Sequence, residues 1–282
     1  MEAVGYALDV CEIRAEPLGN IEGALLTTPE KCVGSILVNR RSGLRQLRFT
    51  TAHEHCHLLH THHRPQRREG VLCSSEDIRV RSRVPKPRMT RHERQEWQAN
   101  RFAIELLVPE HLLAPYLDAE QNLEIVLNAA YEFAISREVA ARHFIEKSDR
   151  PLAMVFSQNG RVRYAVRDGE FSPLGVRRGD QLASHVGYVG EVSEVETGDA
   201  SDWLQRPWSV LLACQTLTQQ NSYAMTLLML EDAEEMPSPP RSDAKRANAE
   251  RALHYPVSLA SPPCSTKPFP CFPRTGKSPV TH

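Results

Sequence analysis

Residues His53-Glu54-His55-Cys56-His57 constrain this chain more than any other stretch, because they spell HExxH. On a helix, side chains four apart share a face, with Cβ atoms about 5–6 Å apart. Two imidazoles at that spacing can grip one metal ion, and Glu54 beside them is placed to act on water rather than on the metal. A helix that carries this motif needs an apolar face to bury. Leu44, Leu47, Phe49, Ala52, Cys56 and Leu59 supply one, so a helix is expected from about Leu44 to about His60, with Ser42 as its N-cap.

Upstream, residues 1–40 read as a short helix followed by strands at Val10–Ile13, Ile21–Leu26 and Ser35–Asn39. A small sheet lying against the HExxH helix is the expected arrangement. Downstream, residues 61–89 are basic and proline-bearing and read as an exposed connection, with one short strand at Ile78-Arg79-Val80. Most of the extra histidines within and just after the motif helix, His55, His60, His62 and His63, read as solvated.

Helical periodicity returns over residues 91–108. Thr90 and Glu93 form a capping-box pattern at its start, and Pro109 marks its end. Ala99 and Ala103 are small enough to let another helix approach closely. A catalytic zinc takes three protein ligands and keeps one open position. Glu96 is the expected third ligand beside His53 and His57, with Glu93 one turn earlier as its competitor. Asn100, one turn beyond Glu96, is placed to orient a liganding histidine through its second nitrogen. Two histidines and a carboxylate suit Zn²⁺ first, with Mn²⁺ as the second choice.

Two runs, in this order, resemble the ImmA/IrrE metallopeptidases. Residues 48–60, RFTTAHEHCHLLH, are similar to that family's RFTxAHExxHxLLH, and residues 96–109, EWQANRFAIELLVP, are similar to its ExxANxFAxxLLxP. The resemblance implies a zincin-like domain in which His53, His57 and Glu96 bind the metal and Glu54 is the general base. It also implies a substrate class, DNA-binding repressors of bacterial stress or mobile-element genes. Three positions depart from the pattern. Cys56 stands where the family usually has Gly, Val108 replaces a common Met, and the His57-to-Glu96 spacing is long. None of these removes a ligand.

The remainder divides by composition. Residues 1–110 are expected to form the zincin-like domain and 111–149 a helical region. The run Leu123–Ile145 splits at Ser136, a good cap for a second helix, giving an outline like a helix-turn-helix. Two helices packing under the peptidase core give the same outline, and Arg137 and Arg142 are few for a DNA face. Residues 150–233 read as a second α+β domain, a sensor or docking module of GAF-like type. Asn159-Gly160 marks one hairpin there, and residues 219–222 mark another. Residues 234–282 hold ten of the chain's 20 prolines and are expected to be disordered. The fold class is therefore α+β throughout.

A net charge of −1 gives no global pull toward nucleic acid or membrane. No run reaches the roughly 20 apolar residues of a membrane span, and Met1–Val4 do not begin a signal peptide. Seven irregularly spaced cysteines in 282 residues suit reduced thiols, so the cytoplasm is expected. The main expectation is a zinc endopeptidase acting on a repressor protein, with His60, His111 and Tyr116 as candidate oxyanion donors. The competing expectation is a non-catalytic regulator that binds a repressor or DNA. Retention of Glu54, which pure binding does not need, favours the first.

Overall fold

The structure is a computed structural model that describes residues 9–64, 70–78, 88–182, 188–205 and 211–230. The expected N-terminal helix and the proline-rich tail from 234 onward lie outside the described residues, as do Arg79 and Val80.

The first half is α+β. Strands β1 (Val10–Glu16), β2 (Ile21–Thr27), β3 (Gly34–Asn39) and β4 (Gly70–Ser74) form one sheet in the order β1-β3-β2-β4. β1 runs parallel to β3, and the other two pairings are antiparallel. The first three strands lie where the aliphatic runs predict them. β4 corrects the reading of 61–89 as an exposed connection. Val71 and Cys73 alternate inward along it and are buried, as are His63 and Ile78. Its first residue, Gly70, has φ +148°, and a Cβ there would lie 1.8 Å from the Leu25 carbonyl oxygen of β2. Only glycine lets the two backbones come this close.

Helix α1 (Leu44–Leu59) packs on β2 and β3. Its N-cap is Gly43, not Ser42, because the Ser42 hydroxyl is engaged by Glu22 Oε2 at 2.6 Å. Leu44 is also not part of the buried stripe and is 72% exposed. The other end of α1 is clasped from the β2–β3 turn. Lys31 Nζ donates to the carbonyls of His57 (2.6 Å) and His60 (2.9 Å), a cation on the helix's negative end. Helix α2 (Arg91–Leu107) packs against α1, and its Ala99 and Ala103 are both fully buried. Its capping box is as expected: Thr90 Oγ1 accepts from Glu93 N–H, and Glu93 Oε2 accepts from Thr90 N–H.

Helices α3 (Glu110–Asp118), α4 (Leu123–Glu132) and α5 (Arg137–Lys147) follow, with the Ser136 hydroxyl capping α5 through Val139 N–H. Arg142 is buried against the Tyr164 ring, and Arg137 bonds Gln219. Five antiparallel strands complete the described chain: β5 (Leu152–Gln158), β6 (Arg161–Arg167), β7 (Glu196–Asp199), β8 (Leu211–Thr218) and β9 (Tyr223–Leu230), in the order β6-β5-β9-β8-β7. Both hairpins fall where their turn residues predict, with Asn159 and Gly160 at φ +52° and +70°. Strand alternation splits this sheet's two faces. Met154, Phe156, Leu217, Met225 and Leu227 join the core shared with the helices. Ala153, Val155, Leu212 and Leu228 pack with Phe171, Ala200 and Leu204 on the other side.

Candidate metal centre

The site is built where α1, α2 and β4 meet. His53 and His57 project from one face of α1 and Glu96 from α2, and all three are buried. His57 Nε2 lies 3.0 Å from His53 Nε2. Glu96 Oε2 lies 3.1 Å from His53 Nε2 and 3.5 Å from His57 Nε2. Cys73 Sγ of β4 comes within 3.7 Å of both His57 Nε2 and Glu96 Oε2. These four residues each offer a ligand atom, all within 4.8 Å of one another.

The backs of both imidazoles are fixed. Asn100 Nδ2 donates to the Asp77 carbonyl (2.6 Å), so its Oδ1 is left to accept from His53 Nδ1–H at 3.1 Å. His63 spans His57 Nδ1 (3.0 Å) and Gln98 Oε1 (3.0 Å). The Gln98 oxygen takes the His63 Nε2–H, which leaves His63 Nδ1 to accept the proton of His57 Nδ1. Both Nε2 lone pairs are thereby turned toward each other and toward a carboxylate. At 3.0–3.5 Å such an arrangement repels unless a cation sits among the atoms.

The proton affinities of the two facing histidines diverge. Burial works against a charged His53, but the Glu96 hydrogen bond and the charges of Glu54 and Glu96 outweigh it and raise its pKa. Burial pushes His57 down to about 4 against the pull of Glu96, and the His53 charge adds to that. Burial and the His57 charge hold His63 at about 3. Glu96 is pushed up by burial yet ends well below the usual carboxylate range, because both histidines bond it.

Glu54 is fully buried beside this cluster. Neither of its oxygens makes a well-formed hydrogen bond among the described residues, although the Cys73 thiol is close enough to lower its pKa. Burial dominates and lifts the carboxyl to about 7. β2 leaves room for it only because residue 23 is glycine. A Cβ there would lie 2.4 Å from Glu54 Oε1. Gly23 pairs with Cys73 across the β2–β4 ladder, next to a bulge at Glu22. One ladder position therefore sets both the Glu54 carboxylate and the Cys73 sulfur.

The residues read from sequence as His53, Glu54, His57, Glu96 and Asn100 are brought together. Glu93 is not, since its carboxylate serves the α2 cap. Cys56 is a buried core residue outside the four-residue cluster. Tyr116 packs against Phe133 and His111 is exposed, so neither faces the site, while His60 stacks on His63. His63 and His55 are buried rather than solvated: His63 backs His57, and His55 Nδ1 bonds the Thr51 carbonyl at 2.6 Å. Sequence reasoning missed Cys73, His63 and His92, whose Nδ1 lies 3.3 Å from Glu96 Oε1. The i,i+4 spacing of His92 and Glu96 was a usable signal. So was the alternation Val71, Cys73, which reads as a half-buried strand.

The donor set fits a divalent metal ion by its convergent lone pairs, its burial and the two fixed tautomers. Residues 11–144 match the model of the family described as Peptidase_M78, IrrE N-terminal-like domain. No curated protein matches the chain. No helix among the described residues is long and apolar enough to cross a membrane.

Proposed function

Through residues 11–144 the chain belongs to the ImmA/IrrE family, and on that premise we propose that it is a zinc-dependent endopeptidase. The observation that carries this reading is the pair of orientationally fixed imidazoles facing Glu96, with Glu54 buried alongside and lacking a well-formed hydrogen bond among the described residues. His53, His57 and Glu96 would hold the ion, with Zn²⁺ preferred over Mn²⁺ for this donor set. Asn100 and His63 position the two histidines. A bound divalent ion supplies Lewis acidity toward water and the scissile carbonyl. Glu54 takes a proton from the attacking water and returns it to the leaving amine. A raised carboxyl pKa suits a group that must both accept and release that proton.

The substrate in this reading is a helix-turn-helix repressor, cleaved in the cytoplasm as part of a stress or mobile-element switch. The five-stranded sheet then serves as a GAF-like sensor or docking module, supported by its separate apolar layer of Phe171, Ala200 and Leu204. The test is to incubate the zinc-loaded protein with the repressor encoded beside its gene, with and without chelator. Wild type should yield fragments only without chelator. Glu54→Gln should keep a full equivalent of zinc and lose about 10²–10⁴-fold in rate. Undiminished cleavage by that variant would refute Glu54 as the base. A shift in DNA or repressor mobility with no fragments would favour the binding reading instead.

A further inference from the structure

Four donor atoms converge on the site, one more than hydrolysis needs. Around a tetrahedral zinc with ordinary bond lengths, N and O donors lie about 3.3 Å apart, and a sulfur lies about 3.6 Å from each of them. The observed separations are 3.0, 3.1 and 3.5 Å among His53 Nε2, His57 Nε2 and Glu96 Oε2. From Cys73 Sγ they are 3.7 Å to His57 Nε2 and 3.7 Å to Glu96 Oε2. Cys73 is fully buried, and its strand is set in register by the backbone ladder. Gly70 locks β4 against Leu25, and Cys73 itself pairs with Gly23. The sulfur is delivered to the site by the ladder, not by a flexible loop.

We propose that Cys73 is a fourth metal ligand and that it closes the coordination position a water would otherwise enter. The resting protein is then a latent form of the peptidase proposed above, opened when a bound substrate displaces the sulfur, and the word latent rests on that reading. On ligation the S–H bond breaks, a sulfur–metal bond forms, and one proton per ion leaves to solvent. With two anionic ligands, Glu96 and Cys73, the divalent site is neutral. The three-ligand set would leave it at +1, so the closed site is also the poorer Lewis acid. The buried sulfur takes the place next to Glu54 where that base would need a water.

Cobalt substitution tests this without any substrate. The full-length Co²⁺-loaded protein should show a near-ultraviolet sulfur-to-cobalt charge-transfer band, and its visible bands should not respond to azide. Cys73→Ala and the isosteric Cys73→Ser should lose the charge-transfer band while still binding cobalt, and Cys73→Ala should become azide-responsive. Cys56→Ala should keep the wild-type spectrum. Cobalt bound by wild type without the charge-transfer band, or with the azide response of Cys73→Ala, would overturn the inference and leave the peptidase reading standing. Cobalt bound by neither wild type nor variants would overturn both. If the Cys73 variants do not fold, the wild-type band, its persistence in Cys56→Ala and the azide response still decide.

Discussion

Helix α1 buries ten consecutive residues, Phe49 to Leu58, and six of them are polar: Thr50, Thr51, His53, Glu54, His55 and His57. Strand β5 buries six, Leu152 to Ser157, and only Ser157 is polar. Both segments lie at the centre of their sheets' packing, yet they treat polar groups in opposite ways. In the second sheet the buried hydroxyls of Thr216 and Thr226 satisfy each other at 3.0 Å, and among the described residues no buried side-chain nitrogen or oxygen of its strands lacks a partner. In the first, three lone-pair donors face one another, and Glu54 lacks a well-formed hydrogen bond among the described residues. Burying polar groups without compensation costs stability. A chain retains such an arrangement where something else, in the proposed reading a cation and a reacting molecule, completes it.

Removing a donor should break this contrast most completely. His57→Ala or Glu96→Ala should lower metal affinity by more than about 100-fold, beyond the loss expected from an orienting partner. Elemental analysis after dialysis reads this directly. A volume change in the apolar sheet should do the reverse. Phe156→Ala removes a buried ring stacked on Tyr164. It should cost about 3–5 kcal/mol in denaturant unfolding while the folded fraction keeps its metal affinity.

Titration sharpens the contrast further. The Glu54 carboxyl is raised from 4.5 to about 7 in the folded metal-free protein, so folding retains a proton that the unfolded chain releases. Its burial therefore costs nothing below about pH 4.5, costs progressively more as pH rises, and levels off above about pH 7. Metal-free Glu54→Gln should be more stable than wild type by at most about 3 kcal/mol at pH 8. That advantage should vanish near pH 4. Smallest are the orienting residues. Asn100→Ala and His63→Ala should each weaken metal binding about 10–100-fold, measured by competition with a chelator of known affinity.

Helix periodicity made α1 legible in the sequence, and periodicity with cap chemistry made α2 and α5 legible, because those signals are local. The Asn159-Gly160 and 219–222 turns located the second sheet's hairpins for the same reason. The metal-facing residues were legible wherever their spacing lay within one helix, as for His53 and His57. Glu96 and Asn100 came from a second helix, through the need for a third ligand and their spacing along one face, with the resemblance to a known motif added to that. What stayed hidden depends on pairing across the sheet. β4 lies between two basic stretches whose composition reads as loop, and only its register against β2 shows that Cys73 sits opposite Gly23. His63 looked like one of several solvent histidines because nothing local indicates that Gln98 lies behind it. Ser42 looked like a cap because its partner Glu22 is distant in sequence.

Gly23 has one more consequence. With backbone pressed to within a methyl's reach of Glu54 Oε1, the carboxylate has a floor beneath it and cannot swing back to let a larger group pass. Gly23→Ala would push it toward the histidines instead of merely crowding a strand. In the proposed mechanism the Glu54 carboxylate would thus be a fixed post: its reach is set by the main chain of a neighbouring strand, and whatever exchanges a proton with it would do the travelling.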